Sequence, residues 1–497
     1  VAMLATASLG ATWSCCSPDF GVKAVLDRFL QVKPKVIFAA NGYYYNGKLF
    51  KTINKLQKIA QGLPSIINTI IIDYPSSSIE KYRIQNKINY KDYVDSGRTS
   101  LQFVQLPFDH PLYIMYSSGT TGVPKSIVHG AGGTLIQHLK ELILHCDLKR
   151  KDTIFYFTTC GWMMWNWLIT SLSVGSTIVL YDGSPSYPSI DRLWKLVEEL
   201  GITVFGTSAK FIDSCNKSGL SLKSKYDLSS LRSILSTGSP LADLNFDYVY
   251  SNIKTDLLLG SISGGTDIIS CFALSAPNLP VYRGEIQAKG LGMNIDSFDS
   301  NGKSIIDKKG ELVCKSAFPS MPLYFLNDKG GSKYRKTYFE KYPGVWHHGD
   351  FISINKRGGI RIHGRSDSTL NPGGVRIGTA ELYNIIDVFS DIEDSLVVGQ
   401  NWKEDQRIIL FLKMKPQIIL TDDLIKKIKK LIKIELSPKH VPKLVLSVPD
   451  IPYTMNGKKI EIAVKNIIEG KEITNRDSMI NPESIDFFLS LPELFRD

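Results

Sequence analysis

Short apolar runs alternate with amphipathic stretches over the first half of this chain, and the alternation predicts parallel strands joined by covering helices. Residues 35–39 and 67–73 read as strands, with a helix over 47–60 between them. The pattern returns with strands at 176–181, 202–205 and 231–235 and a helix at 191–200. Strand, helix and parallel strand is the unit of a sheet buried on both faces. Past about residue 280 the pattern shifts to short strands and glycine turns, as at 310–314 and 359–363. The expected fold class is α/β. A large N-terminal domain of several subdomains with helix-covered parallel sheets spans 1–366, and a small C-terminal α+β domain spans 367–497.

Two helices carry more than pattern. Residues 421–436 form an amphipathic helix with Thr421 as its N-cap and Asp422 and Asp423 in the first turn, where carboxylates complement the helix dipole. Leu424, Ile425, Ile428, Leu431 and Ile432 make one stripe and lysines the opposite face. That face reads as solvated, in preference to a membrane-surface helix. The opening residues 1–10 could pass for a secretory signal but lack an initiator methionine and a basic start, and they read as a core helix cut open. On that reading the chain begins inside a domain and is an N-terminally truncated fragment.

The densest chemical signal lies between a strand at 112–116 and a helix at 134–144. There Ser117, Ser118, Gly119, Thr120, Thr121 and Gly122 run through Val-Pro to Lys125. Backbone N–H groups approach phosphate oxygens closely only where side chains are absent, and the hydroxyls and the lysine add donors and charge. Val-Pro between Gly122 and Lys125 excludes a Walker A loop, which needs Gly-Lys-Ser/Thr at the helix start. A nucleotide is expected, on another fold.

Composition narrows the partners. At 497 residues the chain exceeds one compact core. Its net charge of +11 is spread along the sequence, so no nucleic acid is expected and anionic small ligands are served equally well. Seven cysteines form no C-x-x-C pair and no zinc spacing, which favours reduced thiols in a cytosolic, cytoplasmic protein. Asn166 interrupts the most apolar stretch, so stable membrane insertion is not expected. The oligomeric state is not legible.

Further nucleotide-handling segments follow in order: Ser236-Thr-Gly-Ser-Pro240 and Ser263-Gly-Gly-Thr-Asp267 after strands, Trp346-His-His-Gly-Asp350 in a turn, Gly364-Arg-Ser-Asp367, Gly373-Gly-Val-Arg376, and Pro452-Tyr-Thr-Met-Asn-Gly-Lys458. Each alone is weak, since such pairs are common in turns. In this order and spacing the set resembles the adenylate-forming family of acyl-CoA synthetases, luciferases and peptide-synthetase adenylation domains, over nearly the whole chain. The segments at 161–167, 263–268 and 370–382 are similar to those of the branch that activates acetoacetate.

The resemblance implies the adenylate-forming enzyme fold with a mobile C-terminal domain, ATP and coenzyme A as co-substrates, Mg²⁺ as cofactor and acetoacetate as the acid. It implies that the Ser117–Lys125 loop holds the β and γ phosphates, that Gly238, Ser239 and Pro240 line the adenine pocket, and that Asp350 accepts from both ribose hydroxyls. Thr266 would touch the α phosphate. Asp267 stands where the family has a glutamate that helps hold Mg²⁺; being one methylene shorter, it would act directly or through a water. Arg365 and Arg376 match arginines that meet the nucleotide, Asp367 the hinge, and Lys458 the catalytic lysine of the first half-reaction.

Gly264 occupies the position at which acetate-activating relatives place a tryptophan, so a larger acyl pocket is expected, with Trp162 as a wall. A buried ketone without a donor costs about 1–3 kcal/mol, so that pocket should contain one. The competing readings are a synthetase for acetate, propionate or butyrate, a luciferase-like oxygenase, and a nucleotide-binding homologue without catalysis.

Overall fold

The computed structural model describes the chain apart from residues 76–81, 95–96, 98–99, 118–123, 367–369, 371, 373–378, 403–404, 437, 455–456, 472, 474–475, 477–478 and 496–497. A five-stranded parallel sheet runs in the order Thr177–Val179, Thr153–Tyr156, Val204–Ser208, Ser233–Thr237, Leu258–Ser261. Strands covered on both faces need apolar side chains on both, and Ile154, Phe155, Val204, Phe205, Ile234 and Leu235 are all buried. One face packs with Trp194, Ile212 and Phe246, the other with Leu142, Met164 and Trp167. Open parallel sheets bind ligands beyond the carboxyl ends of their strands. Here Ala209, Gly238 and Ile262, which follow three of those ends, line the cavity described below.

Three smaller sheets frame that edge. Pro111–Ser117 and Lys125–Gly130 pair antiparallel, with Ser117 opposite Lys125. Ser263–Gly265 pairs with Ser270–Leu274, which pairs with Ala288–Lys289. Trp346–Ile354 and Ile360–Arg365 form half of a four-stranded sheet with Asp350 opposite Arg365. In the C-terminal part, Ile392–Trp402 pairs antiparallel with Asp405–Met414, and Leu444–Ser447 joins in parallel. The two apolar clusters around Phe411 and Ile432 draw only on residues from 370 onward.

Most expected elements are present, with three differences. Residues 47–60 do not form one helix: Gly42–Tyr45 and Lys48–Lys51 make a hairpin, and the helix is Ile53–Gly62. Asn46 and Gly47, with φ of 48° and 73°, supply the tight turn that an Asn-Gly pair favours. Residues 346–350 are not a turn but the first half of the strand Trp346–Ile354. The helix expected over 134–144 spans Ala131–Lys140 and continues as a π-helical turn, Glu141–His145, in which Glu141 is fully buried and accepts from the Trp167 indole at 2.9 Å. The lysine-rich helix Asp422–Glu435 is capped as expected, Thr421 Oγ1 accepting from the Leu424 N–H, and it buries Ile428 and Ile432.

Candidate active site

The chain turns sharply at the end of Ser233–Thr237. Gly238 has φ of 94°, in the left-handed region that side chains disfavour. Gly238, Ser239 and Pro240 then line a cavity of about 320 Å³, a size that suits a small-molecule ligand. The same lining contains Thr266, Asp350, Arg365, Trp162, Gly264 and Lys458, so most of the candidate site residues that the structure describes converge on one space.

Lys458 reaches it from the C-terminal part. It sits in a turn whose legs, Tyr453 and Lys459, form an antiparallel bridge. The Thr454 N–H donates to the Lys458 carbonyl at 2.9 Å, and the Lys458 N–H donates to Thr454 Oγ1 at 3.1 Å. The side chain keeps solvent contact across the cavity while protein crowds round it. That crowding lowers the ammonium pKa, Asp350 opposes the shift, and Arg365 adds to it.

Asp350 lies between a guanidinium and a neutral imidazole. Arg365 Nη1 is 3.4 Å from Asp350 Oδ1, and His348 Nε2 is 3.7 Å from Oδ2. His348 is buried edge-on against Phe272, and burial holds its imidazole below the usual pKa.

The phosphate side is partly described. Ser117 Oγ is buried with no hydrogen-bond partner among the described residues, and an unmet hydroxyl there suits an anionic oxygen. Ser118, Gly119, Thr120, Thr121, Gly122, Asp367 and Arg376 lie outside the described residues. Lys125 Nζ donates to Asp267 Oδ1 at 3.1 Å, and the Tyr338 hydroxyl donates to the same oxygen at 2.6 Å. Burial works against ionising Asp267, yet Lys125, His348 and the Tyr338 bond together hold its carboxyl below the ordinary range. Thr266 is on the cavity lining and Asp267, beside it, is not.

Among the described residues no group of three or more His, Cys, Asp or Glu is placed to cage a metal ion. Asp267, a single carboxylate with one oxygen already taken by Lys125 and Tyr338, would serve only a cation that brings phosphate and water ligands with it, as Mg²⁺ does.

Residues 266–270 are pinned from behind. His129 Nε2 donates to the Thr266 carbonyl at 3.0 Å, which fixes that tautomer, and His138 Nε2 donates to the Ile269 carbonyl at 2.6 Å. The Gln137 amide donates to Ser270 Oγ at 2.8 Å. Burial pushes His129 down to about 4, so it stays neutral.

Gly264 is glycine for a reason the sequence did not disclose. A Cβ there would stand 2.0 Å from the Ser270 carbonyl oxygen and 2.5 Å from Cys271 Cα. The missing side chain would run into the backbone of the neighbouring strand and not into open space. Trp162, Met163, Met164, Thr237, Ile262 and Cys271 also line the cavity, and the Thr237 hydroxyl donates to the Ile262 carbonyl at 3.1 Å.

Sequence reasoning missed Tyr338, His129, His348 and Thr237. Only His348 and Thr237 lay inside segments already singled out. Tyr338 and His129 become visible only once distant strands and helices are assembled.

A family model described as AMP-binding enzyme matches residues 1–248. The chain is 52% identical over 501 residues to the acetoacetyl-CoA synthetase of Gallus gallus, covering 99% of this chain and 75% of that protein. It is 50% identical over 494 residues to the acetoacetyl-coenzyme A synthetase of Rhizobium meliloti (strain 1021), covering 99% and 76%. The solved acetoacetyl-CoA synthetase from Streptomyces lividans superposes with a TM-score of 0.91 at 42% identity, covering 99% of this chain and 75% of that one. An anthranilate CoA ligase, AuaEII, solved with anthranoyl-AMP, shares the fold with a TM-score of 0.79 at 19% identity, over 93% of this chain and 83% of that one. The chain has the adenylate-forming enzyme fold and belongs to the acetoacetyl-CoA synthetase family of AMP-binding enzymes.

Proposed function

We propose that this protein activates acetoacetate with ATP to an acyl-adenylate and transfers the acyl group to coenzyme A, releasing AMP and pyrophosphate. The observation that carries this reading is the position of Lys458 on one cavity lining with Thr266, Gly238 and Asp350. It is supported by the identity with acetoacetyl-CoA synthetases over nearly the whole chain.

A carboxylate is a poor electrophile, and joining it to a thiol in water requires a better leaving group. The substrate oxygen attacks the α phosphorus as pyrophosphate departs, and negative charge accumulates on both sides. Catalysis of such a step is mainly positioning and electrostatics. Lys458 Nζ neutralises charge between carboxylate and α phosphate, and Thr266 donates a hydrogen bond to that phosphate. Asp350 offers only acceptors and so takes both ribose hydroxyls. Gly238, Ser239 and Pro240 form the adenine wall, and Ser117 to Lys125 hold the outer phosphates. Mg²⁺, held by Asp267 directly or through a water, supplies positive charge on the pyrophosphate side when bound.

For thioester formation the same carbonyl must meet a thiol. In this reading residues 367–497 form a mobile domain hinged at Asp367, which withdraws Lys458 and brings in residues 373–376. The separate apolar clusters beyond residue 369 support a body able to move as a unit. Among the described residues no helix is long and apolar enough to cross a membrane. The seven free thiols agree with a reducing, cytosolic setting.

The test is ATP–pyrophosphate exchange with acetoacetate, acetate, propionate and butyrate. Exchange highest with acetoacetate supports the reading. Equal or higher exchange with another acid reassigns the substrate, and none with any acid removes the activity.

A further inference from the structure

We infer that Lys210 and Asp394 are positioning residues for adenylation: the buried Asp394 carboxylate clamps both legs of the turn that carries Lys458 and docks that turn on the Lys210 ammonium. The inference rests on the reading of Lys458 given above and extends it to residues that touch no substrate in that scheme.

Asp394 belongs to the strand Ile392–Trp402 and is 8% exposed. Its Oδ2 accepts from the Tyr453 hydroxyl at 2.5 Å and from Lys210 Nζ at 2.8 Å, and its Oδ1 lies 3.1 Å from Lys459 Nζ. Tyr453 and Lys459 are the two legs of the Lys458 turn. One carboxylate therefore fixes the base of the turn from both sides. Lys459 Nζ also donates to the Ser395 carbonyl at 2.5 Å. Burial alone would raise the Asp394 pKa, but Lys459 and Lys210 outweigh it and keep the carboxyl ionised.

Lys210 comes from the other half of the molecule. It lies in the first turn of the helix Ala209–Lys217, whose N-cap Ser208 ends the central strand Val204–Ser208 and accepts from the Phe211 N–H at 3.2 Å. Its position is thus tied to the sheet edge that bears the cavity. Its Nζ lies 5.2 Å from the centroid of the Tyr453 ring in the turn, a Cβ on Gly457 would lie 4.0 Å from Lys210 Cβ, and its ion pair with Asp394 ties it to the carboxylate that holds the turn's legs. Gly457 directly precedes Lys458. Seven residues on, and so on the same helix face, Lys217 Nζ donates to the Glu393 carbonyl at 3.0 Å, a second docking point beside the first.

An exposed ion pair of this kind would contribute little. Here one partner is buried, and the pair sets where a nearby charge stands relative to a reacting phosphorus. Misplacing a catalytic group by about 1 Å can cost about a hundredfold in rate. Removing the Lys210 charge leaves Asp394 paired with Lys459, so the clamp on the turn survives and the docking is lost.

The experiment compares half-reactions in Lys210→Met, which keeps the stem. ATP–pyrophosphate exchange is expected to fall about tenfold to a hundredfold, with the KM for ATP changed by less than about threefold. Thioester formation from a synthetic acyl-adenylate should be unchanged, which also shows the variant to be folded, and Lys210→Arg should restore exchange. Equal loss in both half-reactions, or full exchange, overturns the inference. A parallel Lys458→Ala separates the two levels. If it also keeps full exchange, the role of Lys458 falls and the inference with it; if it loses exchange while Lys210→Met keeps it, only the docking falls.

Discussion

The Lys125 ammonium stands 3.1 Å from the Asp267 carboxylate, so the last residue of the hydroxyl- and glycine-rich loop and an acid 142 positions later neutralise each other. Tyr338, stacked on Trp346 with ring centroids 3.7 Å apart, donates to the same Asp267 oxygen and fixes where that acid points. The opposite charges proposed for phosphate and cation are thus in place together before either ligand binds, which lowers the reorganisation needed on binding.

Removing either partner should separate their roles. Lys125→Met is expected to raise the KM for ATP about tenfold, since it would delete the charge-assisted phosphate contact proposed for this residue. Asp267→Asn is expected to lower pyrophosphate exchange about a hundredfold and to raise the Mg²⁺ concentration needed for half-maximal rate. Asp267→Glu should retain most activity. An unchanged Mg²⁺ dependence in Asp267→Asn would remove this residue from the cation's shell.

Gly264→Trp tests why the cavity lining bears a glycine at this position. If the glycine only left room, tryptophan would shift preference toward acetate with the fold intact. Because its Cβ would meet the Ser270 carbonyl at 2.0 Å, the substitution is expected instead to force the two strands apart. Overpacking of this kind costs about 1–3 kcal/mol. Exchange with acetoacetate and with acetate should fall together, and the melting temperature should drop. A stable variant with enhanced acetate exchange would contradict this.

His129 gives a pH prediction with a definite sign. Its folded pKa is pushed down to about 4 from 6.5, so between those values the unfolded chain binds the extra proton. The stability that comes from keeping the buried His129 imidazole neutral is fully present above the unfolded pKa and is lost as pH falls toward about 4. Linkage puts the loss at about 2 kcal/mol between pH 7 and pH 5. His129→Gln keeps a donor for the Thr266 carbonyl and should flatten the pH dependence of urea unfolding by that amount relative to the parent. An identical slope in the two proteins would show that His129 is not held neutral.

The sheets and the cavity's polar residues were legible because short apolar runs and glycine–hydroxyl turns leave local marks. Gly238, Thr266, Asp350 and Lys458 each sit in such a mark and meet on one lining. The hairpin at Asn46-Gly47 was also marked, but the amphipathic run that follows masked it. Tyr338, His129, Lys210 and Asp394 were not readable, since their partners lie on other elements 59 to 184 residues away. Gly264 was found for an incomplete reason, as a backbone contact between strands leaves no trace in one strand's sequence.

The most direct test of the account is the Lys458→Ala variant, assayed in the two half-reactions separately. ATP–pyrophosphate exchange is expected to fall by at least about a hundredfold, with thioester formation from synthetic acyl-adenylate preserved. Full exchange in Lys458→Ala, or equal loss in both half-reactions, would contradict it.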